Sequence, residues 1–199
     1  YGPVEGPLTS MQNIDHRHLF GPLSKASFCI TASDPAHQID RAIQIATQER
    51  PGAVHVDLPI KPGPDNSSQA EASAEPEHAA IVGDMEAIAG AIDAAAKPLL
   101  VAGPVVYRQD ANDNLLALAE RLQSAVVVTS KARGVIPEDH PLYAGVVCGV
   151  YAEGTLEADL IARSDLVVAI GLDRTELLSP WKHSQKLICV DAIPVADEQ

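Results

Sequence analysis

Basic residues are scarce in this chain. Fourteen Lys and Arg stand against 27 Asp and Glu over 199 residues, a formal net charge of −13. Neutralising phosphates takes clustered cations, so the charge argues against nucleic acid as a partner, and an anionic membrane surface is disfavoured for the same reason. No apolar run is long enough to span a bilayer. The opening stretch YGPVEGPLTSMQ has no basic region, no apolar core and no initial Met, so it reads as the edge of an excised piece and not as a signal peptide. Cysteine is also sparse. Cys29, Cys148 and Cys189 form no C-x-x-C pattern, and an odd count without an export signal fits the reduced thiols of a cytoplasmic protein. All three sit in apolar contexts, which predicts buried structural thiols. Trp181 is the only Trp and is expected to anchor a loop.

The usual phosphate-binding glycines are missing too. Pro104 interrupts AGPVVY, so there is no G-x-G-x-x-G, and no P-loop occurs elsewhere. That counts against an NAD-dependent dehydrogenase. Ser10, Ser24 and Ser27 lack a nucleophile-elbow context. No pair of carboxylates reads as an acid/base dyad, and Glu153, Glu157 and Asp159 read as surface charges of a helix. The seven histidines are not expected to cluster. His16 and His18 flank Arg17 on a predicted helix and read as a solvated face, while His140 in PEDHPLYAG suits a turn-stabilising hydrogen bond. No self-contained catalytic constellation emerges.

What is present is an α/β pattern. Residues 63–77, GPDNSSQAEASAEPE, carry no aliphatic side chain larger than Ala and cannot offset their ordering entropy by burial, so they read as a linker. They separate a front piece, 1–62, from a back piece, 78–199. In the front piece KASFCI and AVHVDL read as strands. Between them DPAHQIDRAIQIATQER reads as a helix, with Asp34 as N-cap, Pro35 at its first position and Ile39, Ala42, Ile43 and Ala46 inward. Two strands make a poor core, so this piece either packs on the rest or ends a larger domain.

The back piece alternates helix and strand. Met85, Ile88, Ala89 and Ile92 mark one helix. A second is DANDNLLALAERLQ, with Asp110 as expected N-cap and Leu115, Leu118, Ala119 and Leu122 inward, and a third is GTLEADLIARS. The strands PLLVAG, AVVVTS, DLVVAIG and KLICVDA are continuous apolar runs, the mark of a parallel sheet covered on both faces. The fold predicted is a doubly wound, mainly parallel α/β domain, Rossmann-like, preceded by a fragment of a second α/β domain.

In such sheets ligands bind beyond the carboxyl ends of the strands. Those ends are Gly103, Thr129-Ser130-Lys131, Gly171 to Asp173, and Asp191. The glycines would admit backbone close to a ligand, the hydroxyls could hydrogen-bond, and Asp191 could accept from a ribose hydroxyl. Together they resemble a nucleotide crevice without its usual furnishings. Ordinary turn chemistry explains the same glycines.

Two stretches carry a family resemblance. MQNIDHRHLFGPLSKASFCI and AIQIATQERPGAVHVDLP resemble the closing part of the pyrimidine-binding domain in thiamine diphosphate-dependent enzymes of the acetolactate synthase type. The corresponding residues are Gln12, Asp15, Ser24-Lys25, Arg50-Pro51-Gly52, Val54, Val56, Asp57 and Pro59. AAKPLLVAG, VVVTSKARGVIPEDHPLYAGVVCGVY, ARSDLVVAIGLD and LICVDAIP follow the order of that family's central domain. GLDRTELLSPW looks most like catabolic acetolactate synthase-like members, which carry an Asp-x-x-Glu…Trp stretch there.

The resemblance implies a parent enzyme that uses thiamine diphosphate and Mg2+, decarboxylates a 2-keto acid and joins the product to a second carbonyl. Its catalytic Glu would lie upstream of these residues and its Gly-Asp-Gly…Asn-Asn motif downstream, so the chain is expected to be a framework fragment, inactive alone. Gln12 would border the substrate channel. Partners would be the remaining pyrimidine- and diphosphate-binding domains, in a homo-oligomer. Some relatives hold FAD or ADP in the central domain, and Arg50 stands where some of them contact the cofactor phosphates. Leu172-Asp173 and Pro104 depart from the FAD-binding pattern, so an empty crevice is the expectation, with a free-standing adenine-nucleotide module as the alternative.

Overall fold

The Pro51-Gly52 turn delivers the β-branched run that follows it into a strand. A computed structural model describes residues 14–31, 33–58, 83–147, 149–178 and 184–192. The expected linker, Gln12, Cys148 and Trp181 lie outside the described residues. The chain divides into two compact units, Tyr1–His78 and Ala79–Gln199.

In the first unit the elements are α1 (His16–Phe20), β1 (Ala26–Cys29), α2 (Pro35–Thr47) and β2 (Val54–Asp57). β1 and β2 pair in parallel, from Ala26 opposite Val54 to Cys29 opposite Asp57. Lys25 pins the turn that feeds β2: its Nζ donates to the carbonyls of Gln48 at 2.8 Å and Arg50 at 3.0 Å. Asp34 caps α2 as expected, accepting from the His37 N–H. The buried stripe of α2 is turned from the one expected. Ala42 and Ile45 are buried, whereas Ile39 and Ile43 are exposed. The cause is polar: Gln38 both accepts from the Thr31 N–H (3.0 Å) and donates to its Oγ1 (2.9 Å), so the Gln38 side of the helix turns toward the end of β1.

The second unit opens with α3 (Met85–Ala94) and builds a sheet from β3 (Pro98–Ala102), β4 (Ala125–Val128), β5 (Tyr143–Val146), β6 (Leu166–Ile170) and β7 (Lys186–Val190). The order is β5-β4-β3-β6-β7, and every neighbouring pair is parallel. Side chains alternate between two cores, as strand geometry requires. Leu100, Ala102, Val126, Val128 and Val168 meet Leu115 and Ala119 on one face, with Ile88 and Ile92 of α3 packed on them. Leu99, Val101, Val127 and Val167 meet Ile161 and Val147 on the other. Each fully buried aliphatic side chain stabilises the sheet by roughly 1.5–3 kcal/mol. The helices that supply those contacts are α5 (Asn112–Leu122) and α6 (Leu156–Arg163), so the doubly wound parallel architecture stands.

Several local expectations are corrected. β5 is an additional strand: Gly145 sits at φ +123 and the register shifts between Val126 and Val127, which hides the run from a period-based reading. A short helix, α4 (Pro104–Arg108), occupies what reads as a turn. Asp110 is not the N-cap of α5, because it adopts φ 51 and Ala111 holds the cap position. Glu157 is no surface charge but is 2% exposed, its Oε1 accepting the Gly149 N–H at 2.9 Å. Cys189 is exposed, since β7 is an edge strand in which Ile188 alone is buried.

One carboxylate ties the start of β6 to the turn before β3. Asp165 accepts from the N–H groups of Ala96 (2.7 Å) and Lys97 (3.0 Å), and these bonds hold its carboxyl below the ordinary 3.8. A depressed folded-state pKa contributes stability above the unfolded value and loses it as pH falls through the folded one. The gap in melting temperature between the wild-type chain and Asp165→Asn is therefore expected to be full above about pH 5 and to close below about pH 4. Thermal melts across that range check this, and an equal gap at both ends would exclude the charge as its source.

Candidate functional site

The strand order reverses between β3 and β6, and in an open α/β sheet that point is where a crevice forms. Gly103 leaves β3 there and Gly171 leaves β6. The two glycines are used against each other. The Gly103 N–H donates to the Ile170 carbonyl (2.8 Å), and the Val105 N–H donates to the Gly171 carbonyl (3.2 Å). A Cβ on Gly103 would lie 2.6 Å from Leu172 Cα, and one on Gly171 would lie 2.6 Å from Val105 Cβ. The floor of the crevice is thus backbone on backbone. At the start of α4, Pro104 has no N–H and the Val105 N–H is taken, so its first amides do not await a phosphate.

Above this floor the loops after β4 and β6 are joined. Thr129, 1% exposed, donates its hydroxyl to Glu176 Oε2 at 2.8 Å, and the Lys131 N–H donates to Oε1 of the same carboxylate at 2.9 Å. Lys131 Nζ reaches Asp173 Oδ2 (3.3 Å) and Thr175 Oγ1 (3.2 Å). Asp173 also accepts from the Thr175 N–H (3.0 Å) and hydroxyl (2.8 Å). Burial pushes the Asp173 carboxyl up, but these Thr175 bonds and the Lys131 ammonium outweigh it and hold the group below its usual range. A second tie runs from the Leu178 N–H to the Gly149 carbonyl (2.7 Å), beside the Gly149–Glu157 bond.

The structure therefore brings Thr129, Lys131 and Asp173 into one polar clasp and sets Gly103 and Gly171 side by side. Ser130 is exposed in the turn Ser130–Ala132, and Asp191 is half-buried at the end of β7. Arg50 is exposed in the first unit, where its carbonyl serves Lys25. Glu176, the hub of the clasp, is not among the residues that the strand ends point to. Its spacing from Asp173 was the available signal, since a single helical turn, Arg174–Glu176, brings both carboxylates to one loop.

His16 does not stand on a solvated face alone: its Nδ1 lies 2.7 Å from Asp57 Oδ1, and its ring meets that of His55 edge-on with centroids 5.8 Å apart. His140 behaves as expected, accepting the Leu142 N–H at 3.3 Å within its turn.

Residues 85–197 match the family described as "Thiamine pyrophosphate enzyme, central domain". The "Probable acetolactate synthase large subunit" of Methanocaldococcus jannaschii is 33% identical over 174 residues, covering 81% of this chain and 29% of that protein. The acetolactate synthase large subunit of Corynebacterium glutamicum is 32% identical over 174 residues, covering 81% of this chain and 27% of that protein. A solved structure from Mycobacterium smegmatis, described as a "thiamin diphosphate-dependent enzyme", superposes with a TM-score of 0.63 at 27% identity, covering 89% of this chain and 35% of that one. The chain spans about a third of the length of the curated relatives it matches.

Proposed function

The chain belongs to the thiamine pyrophosphate enzymes, with residues 85–197 as their central domain, and from that premise we propose that it is framework from an acetolactate synthase-like enzyme. The parent would decarboxylate a 2-keto acid such as pyruvate and join the resulting carbanion equivalent to a second carbonyl. The observation that carries this reading is the alignment with acetolactate synthases along 81% of the chain. Thiamine diphosphate, when bound, supplies the electron sink for such chemistry, and the protein positions it and excludes water.

The residues present do not fit that cofactor or its magnesium. Gly83-Asp84 is the only Gly-Asp pair in the sequence, and Asp84 is occupied as the N-cap of α3, accepting the Ala87 N–H at 2.9 Å. No catalytic step is assigned to these side chains. Their role in this reading is to brace: the clasp and the paired glycines lock the carboxyl end of the central sheet. The same packing speaks against FAD or ADP in the crevice, because the chain's own backbone fills its floor. With thiamine diphosphate and magnesium added, the 199-residue chain is expected to release no CO2 from pyruvate, and titration with FAD or ADP is expected to show no saturable binding. Turnover by the chain alone would falsify the framework role.

Partners and location follow the same reading. Ile14, Leu19, Leu23, Ile39, Ile43 and Leu58 of the first unit each lie exposed, apolar area of the kind that covering domains bury. The remaining pyrimidine- and diphosphate-binding domains would cover it within a homo-oligomer. Alone, the chain is expected to self-associate as concentration rises, and a single monomer boundary in concentrated samples by ultracentrifugation would count against this. No described helix is long and apolar enough to cross a membrane; a cytoplasmic location is part of the same proposal and rests on the family alone.

A further inference from the structure

We infer that His16, His55 and Asp57 form a binding site for a divalent transition-metal ion of the zinc class. Each offers one ligand atom, and the three atoms lie within 4.8 Å of one another. Asp57 Oδ1 is 2.7 Å from His16 Nδ1 and 3.6 Å from His55 Nε2. Bonds of about 2.0–2.1 Å in a tetrahedral shell set neighbouring ligand atoms roughly 3.3 Å apart. The His55–Asp57 separation already suits this, and the His16–Asp57 pair needs to open by roughly half an ångström.

The sequence builds this convergence simply. His55 and Asp57 are two apart on β2, so both side chains leave one face of the strand. Ser27 is the register partner of His55 on β1. His16 arrives from above as the first residue of α1, whose start is held by Asp15 accepting the His18 N–H.

The surroundings orient the ligands. Ser27 Oγ lies 2.9 Å from His55 Nδ1, and Phe20 stacks on the His55 ring with centroids 4.3 Å apart. In the tautomer that donates Nδ1–H to the Ser27 hydroxyl, the lone pair lies on Nε2, on the Asp57 side, where it can take a metal ion. That is the supporting arrangement a ligating His requires. Two imidazoles and one carboxylate suit zinc, cobalt or nickel, whereas magnesium and calcium prefer oxygen donors throughout. Side-chain exposures of 41% for His16, 18% for His55 and 29% for Asp57 leave a path for the ion and room for a water as fourth ligand. The same contacts also make sense as hydrogen bonds that merely dock α1, so the experiment must separate the two.

The full 199-residue chain, stripped with chelator, is titrated with zinc chloride by calorimetry and with cobalt chloride by visible absorption. One equivalent is expected to bind, with the d–d bands of a four-coordinate cobalt ion and no thiolate charge-transfer band. His55→Gln and Asp57→Asn are each expected to weaken binding at least tenfold, while His18→Gln, outside the cluster, leaves it unchanged. Ser27→Ala keeps all three ligands and serves where a ligand variant misfolds; loss of its supporting bond is expected to weaken binding about 10–100-fold. Absence of saturable binding would overturn the site. So would a thiolate band, or affinity untouched in folded Ser27→Ala and His55→Gln.

Discussion

Alanine at Gly171 is expected to lower the melting temperature of the second unit by about 10–20 °C. Two penalties combine at this position. Gly171 holds φ +60, a left-handed conformation that costs an L-residue about 1–2 kcal/mol. Its new Cβ would also sit 2.6 Å from the Cβ of Val105, the stem of a 7% exposed core residue that cannot swing aside. Overpacking of that kind costs about 1–3 kcal/mol. The sum, roughly 2–5 kcal/mol with a midpoint of about 3.5, converts at about 3–6 °C per kcal/mol for a unit of this size. Gly134→Ala supplies the control: φ is +90 there, but nothing lies within 4 Å of the added carbon. It should lose only the backbone penalty. Thermal unfolding followed by circular dichroism checks both, and equal losses in the two variants would refute the backbone-on-backbone contact.

Glu176→Ala is expected to destabilise the same unit by roughly 2–4 kcal/mol. The carboxylate accepts two hydrogen bonds, and bonds to charged groups contribute about 1.5–3 kcal/mol each when sheltered from water. One donor, the Thr129 hydroxyl, belongs to a 1% exposed residue and would lose its acceptor in a buried setting. The other, the Lys131 N–H, is on an exposed residue and can turn to water, which trims its share. Thr129→Val with Glu176→Ala forms a double-mutant cycle, and a coupling of about 1–2 kcal/mol is expected in urea unfolding. Additive losses would mean that the two loops are not held by this bond.

Much of the fold was legible because a parallel sheet writes its strands plainly. PLLVA, AVVV and LVVAI are covered on both faces, so they appear as unbroken apolar runs. β5 was illegible for the opposite reason. Its Gly145 and the register shift beside it break the run, and its half-buried residues carry no alternation. α4 hid behind Gly-Pro, which reads equally as a turn or as a cap followed by a first helical residue. Asp110 had the right chemistry for an N-cap, but its left-handed backbone hands that position to Ala111.

The candidate sites were half legible. Strand ends located Thr129, Lys131 and Asp173, because α/β topology gathers such ends on one edge. Nothing in a linear reading tells that Glu176 points back across β3 or that Glu157 turns inward to meet Gly149. Charge looks like surface until its partner is known: Glu176 meets the loop after β4, and Glu157 meets the connection that leads into its own helix. For His55 and Asp57 the signal was available, since alternate residues of a strand share a face. His16, nearly forty residues away, could be added only by the fold.

The sheet order has a consequence for synthesis on the ribosome. β3 is translated before its four companions, yet it ends in the middle, with β4 on one flank and β6 on the other. As the nascent polypeptide emerges, β4 and β5 can be laid down on one side first. The opposite flank of β3 must then wait, bare and adhesive, until α6 has passed and β6 arrives. During that interval the half-built sheet is vulnerable to capture by a neighbouring nascent chain. Slowing translation between β5 and β6 would lengthen the exposure, whereas pausing after β7 would let the last edge close first.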